Sequence, residues 1–320
     1  MAKICIVLAT YNGEKYLSKM LDSLVSQTRP ADLIIAVDDG SKDSSVQILE
    51  SFKNRLPLQI TAFSQNQGHR AAFSKALEIA QPLLDDEDCI SLADQDDVWL
   101  PHKNEILLKE FEKGDKNSET PLLAYGDAQV VDQNENIIAS SWRKHSHIQT
   151  KNSIKQQIAG INNVTGCLCM FRASLLKQIL PIPAEVTVHD RWIAMLAHQY
   201  GTIKDIDTPV IKYRIHGGNA VGGTATPPMS KTLSTQIHWT EMIIANRTRL
   251  NLSDDEVNFA QKLLNLTKGR LRERTLFRKI PWIIVNRKDL FLAASPVQIA
   301  KRIFFSAIGL PLAAKIFGKN

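Results

Sequence analysis

The fold of this 320-residue chain is decided by the stretch CISLADQDD at residues 89–97. Its apolar part, residues 89–93, predicts a buried strand, and three carboxylates follow where that strand ends. Carboxylates crowded together repel one another and resist losing water, so the arrangement is costly unless a cation lies there. Their oxygens suit Mg²⁺ or Mn²⁺, and such an ion can hold a diphosphate. The alternative is a plain acidic turn before a helix, because Asp is favourable at helix starts.

Short apolar runs alternate with amphipathic segments around this stretch. They predict strands at 4–9, 33–37, 58–63 and 89–93, and helices at 14–27, 43–52, 68–80 and 101–112. This order predicts an α/β fold with a mostly parallel sheet, in which ligands bind beyond the carboxyl ends of the strands. The polar clusters of the first half follow those ends: Thr10-Tyr11-Asn12, Asp38-Asp39-Gly40-Ser41 and Asp94–Asp97.

The second half of the chain has a less regular pattern. It predicts strands at 122–125, 128–131, 164–171 and 210–215, and a helix at 189–200. Residues 220–228 are rich in Gly, Thr and Pro, which is typical of a loop or linker, and the chain beyond them is predicted to be helical. We therefore expect an α/β domain over residues 1–225 and a helical extension over residues 226–320.

Composition limits the class of protein. An apolar fraction of 44% and a mean hydropathy of −0.15 are typical of a globular chain with a buried core. No apolar stretch approaches the roughly 18 residues of a membrane-spanning helix, and the first residues predict a strand rather than a signal peptide. The four cysteines have no zinc-like spacing, so we expect a reduced, cytoplasmic protein. They are Cys5, Cys89, Cys167 and Cys169.

The positive charge is concentrated at the end of the chain. Residues 268–320 hold twelve lysines and arginines against two acids, a net of +10, so the first 267 residues carry −4 of the total +6. Apolar clusters between these cations suit helices lying in an anionic membrane interface. The alternative is a helical subdomain that packs on the first domain and has a basic outer face. No recognised nucleic-acid-binding motif accompanies the charge, so no nucleic-acid partner is expected.

Several common site motifs do not occur in the chain. Without GxGxxG or GxxxxGK[ST], a dinucleotide-binding Rossmann domain or a P-loop NTPase is disfavoured, and HExxH and GxSxG do not occur either. The strand ends carry carboxylates in place of the glycines of those motifs. This favours nucleotide binding through ribose and base contacts, with a metal ion on the phosphates, as in proteins that use nucleotide sugars.

Four motifs, in order, resemble those of family 2 inverting glycosyltransferases with the GT-A fold, over about residues 3–220. These motifs are TYN at 10–12, VDDGS at 37–41, DQDD at 94–97 and HD at 189–190. The resemblance is closer still to bacterial rhamnosyltransferases of this family, which build cell-wall or capsular polysaccharide. The segments that carry it are ADQDDVWLP at 93–101, HDRW at 189–192 and YRIHGGN at 213–219. Arg191 stands where many of these relatives have an aromatic residue. The resemblance implies a Rossmann-like, mostly parallel sheet flanked by helices.

The resemblance also implies which residues bind the donor and the metal. The donor residues would be Thr10, Tyr11, Asn12, Asp38, Asp39, Gly40, Arg70, Asp94 and Gln95. Asp39 would accept hydrogen bonds from the base, and Asp38 would support that loop. Asp96 would hold Mg²⁺ or Mn²⁺ against the diphosphate, and His216 would reach the metal or the phosphates, with a structural role as its alternative. An ordinary turn is the alternative for residues 38–41, and a solvated helix start is the alternative for Arg70. Asp97 would either cap the following helix or have a direct catalytic role.

Asp190 is the predicted catalytic base, because inversion needs a carboxylate that takes the proton from the acceptor hydroxyl. The alternative is an acid favoured by a helix N-terminus. His189 would orient Asp190 or contact the acceptor, with a structural histidine as the alternative. The remaining acceptor- and phosphate-side predictions are Gly166, Trp192 and Arg214, although core packing is the usual role of tryptophan. Arg214 would neutralise the diphosphate, with a structural role as its alternative.

The predicted activity is sugar transfer from a nucleoside diphosphate donor to a glycan acceptor. By resemblance the sugar is L-rhamnose from dTDP-L-rhamnose, and the acceptor is lipid-linked at the inner face of a bacterial plasma membrane. A transferase using UDP-glucose, UDP-galactose or UDP-N-acetylglucosamine is the alternative. A non-catalytic nucleotide- or glycan-binding protein is the alternative from another class. The intact set of Asp94, Asp96 and Asp190 argues against such a binder, which has no need for a base.

Overall fold

The computed structural model describes residues 2–112, 121–148, 152–217, 228–272, 275–291 and 296–317. The chain forms two compact units: the first comprises 1–148, 164–182 and 188–223, and the second 149–163, 183–187 and 224–320. The segments 149–163 and 183–187 belong to the second unit, although both precede the predicted boundary at 225. Except for its last residue, the predicted loop at 220–228 lies outside the described residues.

The first unit contains a nine-stranded mixed sheet. Its strands are β1 Ile4–Thr10, β2 Leu33–Asp38, β3 Leu58–Ala62, β4 Cys89–Asp94, β5 Val98–Trp99, β6 Leu123–Val131, β7 Ile137–Ala139, β8 Cys169–Arg172 and β9 Ile203–Arg214. The strand order is β3-β2-β1-β4-β8-β6-β9-β5, with β7 paired to β6. The first four strands are parallel, as the alternating pattern predicts, and β8 joins them to the later strands in antiparallel pairings.

Fourteen α-helices are present in the described ranges. They are α1 Glu14–Val25, α2 Ser45–Ser51, α3 His69–Ala80, α4 Lys103–Glu112, α5 Trp142–His145, α6 Ile154–Ile158, α7 Leu176–Ile179, α8 His189–Tyr200, α9 Met229–Ala245, α10 Asp254–Arg272, α11 Ile280–Val285, α12 Arg287–Leu290, α13 Pro296–Ala307 and α14 Leu310–Phe317. Helices α6 and α9 to α14 belong to the second unit, and the others belong to the first.

The central strands are apolar on both faces because helices cover both sides of a parallel sheet. Every residue of β1 from Ile4 to Leu8 is fully buried. The predicted face of α1 packs into the core, with Leu17, Leu21 and Leu24 buried. The strand registers pair Thr10 with Asp38 and Ala9 with Asp94. The predicted polar clusters therefore meet at one edge of the sheet.

Three segments of the second half differ from the sequence predictions. The two predicted strands at 122–131 are the single strand β6, which passes Gly126 with irregular register. A Cβ on Gly126 would lie 2.7 Å from Val210 Cγ1, so glycine allows β9 to approach β6 closely. Residues 166–168 form a 3₁₀ turn before β8 instead of continuing a strand. Strand β9 begins at Ile203, earlier than predicted.

The second unit is helical, as predicted for the chain beyond the loop. Helix α6 packs with α9 and α10: Trp239 Nε1 donates to the Gln157 carbonyl at 3.1 Å, and Lys155 Nζ lies 2.5 Å from Asp255 Oδ2. A second small cluster buries Leu266, Leu276 and Ile283. In the described ranges, every helix is too short or too polar to span a bilayer.

Candidate active site

The carboxyl ends of β1, β2 and β4 form the floor of the candidate site. Thr10 ends β1, is buried, and donates from Oγ1 to Asp38 Oδ2 at 2.8 Å. Asp38 also accepts hydrogen bonds from the Ser41 amide and hydroxyl at 2.8 and 2.6 Å. The predicted supporting role of Asp38 fits this geometry, because its carboxylate ties the loop after β2 to the end of β1.

Asp39 is buried at the next position and holds a different loop. Its Oδ1 accepts the Gln67 amide at 2.7 Å and its Oδ2 accepts the Gly68 amide at 2.8 Å, directly before α3. Gly40 has φ +77°, and a Cβ there would lie 2.8 Å from the backbone of Gln65, so only glycine fits. Asp39 thus ties the loop after β2 to the loop that precedes α3. Its contact with a nucleotide base stays a prediction.

Tyr11 and Gln95 join the first strand end to the acidic run. The Tyr11 amide donates to Gln95 Oε1 at 2.8 Å, and Gln95 Nε2 donates to the Tyr11 carbonyl at 2.9 Å. Asn12 Oδ1 accepts the Lys42 amide at 2.9 Å, and the Asn12 amide donates to Ser41 Oγ at 2.8 Å. These bonds occupy backbone and amide groups and leave the Tyr11 ring exposed, as a residue lining a nucleotide pocket would be.

Asp96 and His216 meet although they are far apart in sequence. Asp96 Oδ2 and His216 Nε2 are 2.8 Å apart. Arg214, at the end of β9, donates from Nε to the Asp96 carbonyl at 2.8 Å and from its backbone amide to Asp97 Oδ1 at 3.0 Å. Its guanidinium is buried and also contacts Glu135 Oε1 at 3.3 Å. Arg214 therefore holds the acidic run in place. A contact between Arg214 and a diphosphate stays a prediction.

The acidic run forms a cluster that the motif does not reveal, in which Asp97 is buried and Asp94 is half-buried. Oxygens of Asp94 and Asp97 and the Cys167 sulfur all lie within 4.8 Å of one another. Burial and the neighbouring Asp96 raise the pKa of Asp94 and of Asp97. Helix α4 begins at Lys103, six residues after Asp97, so the prediction that Asp97 caps that helix is wrong. Within the described ranges, the buried Asp97 Oδ2 has no hydrogen-bond partner.

Lys103 lies beneath this cluster and was missed by sequence reasoning. Its side chain is fully buried, its Nζ donates to the Cys167 carbonyl at 2.6 Å, and the ammonium lies 3.2 Å from the centroid of the Trp99 ring. Burial lowers the pKa of Lys103 to about 8, while neighbouring acidic groups, among them Asp97 and Asp94, act in the opposite direction. No local signal in the sequence separates this lysine from a solvated one at a helix start.

Asp190 lies in the first turn of α8, as predicted. Its Oδ2 accepts the Gly166 amide at 3.2 Å, so the 3₁₀ turn at 166–168 orients the carboxylate. Burial raises the pKa of Asp190 to about 6, against the opposing effects of Arg191 and of the Gly166 amide. A carboxylate with this pKa is ionised at neutral pH and a better proton acceptor than an ordinary aspartate.

His189 and Trp192 are both buried and contact other residues of the first unit. The His189 ring is buried and stacks on Phe73 with 3.9 Å between ring centroids. Burial lowers the pKa of His189 to about 3, so the imidazole is neutral at physiological pH. Trp192 is fully buried and donates from Nε1 to the Ile179 carbonyl at 3.0 Å. The prediction that Trp192 lies on the acceptor side is wrong, because its ring packs in the core where no substrate can reach it.

Arg70 lies in the first turn of α3, beside His69, and is half-buried. The ring of His69 approaches the His189 ring edge-on, with 5.9 Å between centroids. The start of α3 and the start of α8 therefore approach each other within the first unit. This placement is consistent with the donor prediction for Arg70, which stays a prediction.

A cavity of about 590 Å³ lies within the second unit. It combines an apolar part with hydrogen-bonding groups from the segment 183–187 and from α9. Its lining residues are Glu185, Thr187, His238, Glu241, Met242, Ala245 and Asn246. Thr187 precedes the His189-Asp190 pair by two residues along the chain. The sequence reasoning did not anticipate this cavity, because its two walls are far apart in sequence.

The residues at the strand ends fit a divalent cation. Asp96 Oδ2 and His216 Nε2 lie 2.8 Å apart, and burial together with the neighbouring Asp96 makes the carboxyl groups of Asp94 and Asp97 resist ionisation. Hard oxygen donors with one nitrogen suit Mg²⁺ and Mn²⁺. A cation would offset both the burial and the repulsion that raise these pKa values.

Comparison with known proteins places this geometry in a family context. The model of the Glycosyl transferase family 2 matches residues 5–180. A glycosyltransferase of Nostoc sp. (strain PCC 7120) is 27% identical over 228 residues, which are 68% of this chain and 66% of that protein. The poly(ribitol-phosphate) β-N-acetylglucosaminyltransferase TarS of Staphylococcus aureus is 37% identical over 70 residues, which are 21% of this chain and 12% of that protein. The chain thus spans less than two thirds of the length of these relatives.

Solved structures share the fold. TarS residues 1–349 from S. aureus, in complex with UDP-GlcNAc, has a TM-score of 0.59 and 17% identity, covering 95% of this chain and 81% of that one. A mannosyltransferase of Pyrobaculum calidifontis, in complex with GDP-Man and Mn²⁺, has a TM-score of 0.51 and 14% identity, covering 99% and 88% of the two chains. The predicted GT-A fold, with a mostly parallel sheet flanked by helices and a helical C-terminal region, is confirmed.

Proposed function

The chain belongs to Glycosyl transferase family 2, and from this premise we propose that it is a metal-dependent inverting glycosyltransferase. Residues 1–225 would form its catalytic domain. The observation that carries the proposal is the carboxylate of Asp190. It is held by the Gly166 amide, has a pKa of about 6, and belongs to the same compact unit as the acidic strand end at Asp94–Asp97.

The donor would bind at the ends of β1, β2 and β4. Thr10, Tyr11 and Asn12 would line the nucleotide pocket, with Asp39 and Gly40 at the base, Asp94 and Gln95 at the ribose, and Arg70 beside the phosphates. Asp96 and His216 would hold Mg²⁺ or Mn²⁺, and the ion would supply positive charge for the leaving diphosphate. The contact between Asp96 Oδ2 and His216 Nε2 at 2.8 Å supports this metal site.

Asp190 would act as the general base of a single displacement. The acceptor oxygen forms a bond to the anomeric carbon, the bond from that carbon to the diphosphate breaks, and the hydroxyl proton passes to Asp190. No covalent intermediate on the protein is needed, because the acceptor attacks from the face opposite the diphosphate. The Gly166 amide keeps the carboxylate in one orientation, which favours proton transfer along a fixed direction.

The donor we propose is dTDP-L-rhamnose. The segments ADQDDVWLP, HDRW and YRIHGGN, which resemble those of rhamnosyltransferases, support this donor. Gly218 and Asn219 of the last segment lie outside the described residues. UDP-N-acetylglucosamine is the second candidate, since the solved structure of TarS, which shares the fold, contains that nucleotide sugar. Both candidate donors would place a diphosphate at the metal site, and they differ in the base and the sugar that the protein would contact.

The acceptor we propose is a lipid-linked glycan of a bacterial surface polysaccharide, at the cytoplasmic face of the plasma membrane. The cavity of the second unit supports a glycan, because carboxylate, amide and imidazole groups beside apolar surface are well suited to sugar hydroxyls and carbon faces. The C-terminal helices support a membrane surface. Exposed apolar side chains at Val297, Phe304 and Phe305 stand beside the exposed cations Lys301 and Arg302.

The test is a ligand panel followed by one substitution. Melting temperature is measured with dTDP-rhamnose and with the UDP-sugars, each with Mn²⁺ or with chelator, since a ligand that binds the folded state raises Tm. Asp190→Asn is then expected to keep donor binding and to lower turnover by roughly 10²- to 10⁴-fold, the usual contribution of a general base.

Asp207→Asn, an exposed carboxylate on β9, is the matched control and should retain activity. Stabilisation by UDP-sugars alone would keep the transferase and replace the donor. A folded wild-type chain that binds donor and transfers no sugar would favour the non-catalytic alternative.

A further inference from the structure

Lys103 is a lysine that the fold removes completely from solvent. It lies in the first turn of α4, and its exposed fraction is 0%. Lysine is rarely fully buried unless its charge is compensated, because taking an ammonium out of water is costly. The proposed reaction gives this residue no role. A buried ammonium at the edge of a catalytic centre therefore needs its own explanation.

The ammonium has two direct contacts. Its Nζ donates to the carbonyl oxygen of Cys167 at 2.6 Å, and it lies 3.2 Å from the centroid of the Trp99 ring. A charged hydrogen bond to a carbonyl in a dry interior is strong, and the ring face adds cation–π attraction. The carboxylates of Asp94 and Asp97 favour its charged form. The Lys103 ammonium is thus bound to a backbone carbonyl on the turn 166–168 and to the face of the Trp99 ring.

The carbonyl that Lys103 holds belongs to the turn that holds Asp190. Cys167 is the second residue of the 3₁₀ turn Gly166–Leu168, and the amide of Gly166 donates to Asp190 Oδ2 at 3.2 Å. The turn fits tightly against the start of α8. A Cβ on Gly166 would lie 3.3 Å from His189 Nε2 and 3.4 Å from Asp190 Cβ. A small shift of this turn would therefore move the carboxylate.

We propose that Lys103 is a positioning residue that fixes the turn Gly166–Leu168 and, through the Gly166 amide, the carboxylate of Asp190. This inference rests on the proposed function, in which Asp190 is the base. The same turn also lies beside the acidic run at the end of β4, because the Cys167 sulfur is within 4.8 Å of oxygens of Asp94 and Asp97. The placement of the base is thereby tied to the end of the strand where the donor would bind.

The first test measures the turn directly and needs no activity. In hydrogen exchange followed by mass spectrometry, Lys103→Met should speed exchange of the amides of 166–168 by about tenfold or more, since an anchored turn opens rarely. Lys109→Met makes the same change at an exposed position of the same helix and should leave these amides unchanged. Unchanged exchange in a folded Lys103→Met variant overturns the proposal, whether or not the wild-type chain transfers sugar.

The second test measures the consequence for the base. Lys103→Met should lower kcat by about tenfold or more and change the KM for the donor by less than about threefold, because the lost contact orients the base. A residue that only stabilises the fold would lower Tm and leave kcat per folded molecule unchanged. Gly166→Ala perturbs the contact between the turn and Asp190 directly. It replaces Lys103→Met in this test if that variant does not fold. It should also lower kcat selectively.

The two substitutions together complete the test. If both act through one turn, the kcat losses of Lys103→Met and Gly166→Ala should be clearly less than multiplicative in the double variant. Multiplicative losses, or a loss confined to donor KM, overturn the proposal. A wild-type chain that is inactive with every donor would refute the proposed function instead, and the exchange measurement would still decide the role of Lys103.

Discussion

Asp190 combines a fixed orientation with a raised proton affinity. Burial raises its pKa to about 6, so the carboxylate is ionised above that pH and protonated below it. A protonated carboxyl cannot accept the hydroxyl proton of the acceptor. We therefore expect kcat, measured at saturating donor and metal, to fall tenfold per pH unit below about pH 6. Saturation keeps the metal-binding residues occupied, so their titration does not enter. A kcat that stays level down to pH 5 would contradict the assignment.

Asp94 and Asp97 carry a different pH dependence. Burial and the neighbouring Asp96 raise the pKa of both, so the folded state binds protons that the unfolded chain has already released. Stability without metal should then fall as pH rises from the acidic range to neutrality. A divalent cation replaces those protons, so Mn²⁺ should raise Tm more at pH 8 than at pH 6.

A matched pair of variants checks this metal prediction by differential scanning fluorimetry. Asp96→Asn should remove most of the Tm increase caused by Mn²⁺, because it removes the carboxylate proposed as a metal ligand. Asp86→Asn changes an exposed carboxylate of the first unit and should preserve the increase. An increase of equal size at both pH values, or one that persists in Asp96→Asn, would mean that Mn²⁺ binds elsewhere.

At the level of single residues, sequence reasoning reached the groups that lie next to strand ends. Asp38, Asp94 and Asp96 were predictable because each follows an apolar run that must be a strand. Lys103 was not, because a lysine at a helix start is normally solvated and only the fold brings the Cys167 carbonyl to it. Trp192 was misplaced for the reverse reason: sequence alone does not show whether a tryptophan at a helix start faces a site or the core.

At the level of elements, the regular βα pattern was sufficient for the first half of the chain and insufficient for the second. Each early strand pairs in parallel with a neighbour, so period and length decide the assignment. Gly126 ended the predicted strand at 122–125, but a glycine is needed there because Val210 packs against it. The apolar run at 164–171 resembled one strand. Its first part is a turn instead, stabilised by contacts with Lys103 and Asp190 that no local pattern contains.

Helix α13 provides a test of membrane binding. Its exposed cations Lys301 and Arg302 stand beside the exposed rings of Phe304 and Phe305. Each basic residue near an anionic surface contributes about 1 kcal/mol, so Lys301→Glu with Arg302→Glu should weaken binding to vesicles containing phosphatidylglycerol by at least about tenfold. The measurement is vesicle cosedimentation of the full chain at two salt concentrations, since added salt screens this attraction.

The control for the vesicle experiment reverses two exposed cations of the first unit, Lys53→Glu with Lys75→Glu, and should leave binding unchanged. Phosphatidylcholine vesicles should bind the wild-type chain weakly. Equal loss in both charge-reversed variants would mean that the net charge of the protein is responsible, and no binding of the wild-type chain would refute a membrane-facing tail.

At the level of the whole molecule, the proposed acceptor gives the cavity of the second unit a testable role. This cavity, lined by Glu185, His238 and Glu241, would take the acceptor glycan. Glu185→Gln keeps size and hydrogen-bonding capacity while removing charge, and Met242→Glu puts a carboxylate into the apolar part. We expect Met242→Glu to raise the acceptor KM at least about tenfold with donor KM unchanged, since it buries a charge where the sugar face would pack.

Steady-state kinetics with each substrate varied in turn checks the cavity prediction, and Glu185→Gln should have the smaller effect of the two. A rise in donor KM alone, or equal effects on both substrates, would place the acceptor elsewhere.

The two units are interleaved along the chain, so the boundary predicted at residue 225 is a poor place to cut it. Helix α6 belongs to the second unit, where Ile154 and Ile158 are buried and Trp239 donates to the Gln157 carbonyl. A chain ending at 225 would keep α6 but lose α9 and α10, which cover it. Exposing a buried Ile costs about 1.5–3 kcal/mol, so the truncated chain should be less stable and aggregate more readily.

Limited proteolysis should cut the truncated chain first between 149 and 163. Supplying residues 226–320 as a separate chain should protect that segment. Equal protection of 149–163 in the full and truncated chains would contradict this reading, because it would show that the segment folds without the helices that pack on it.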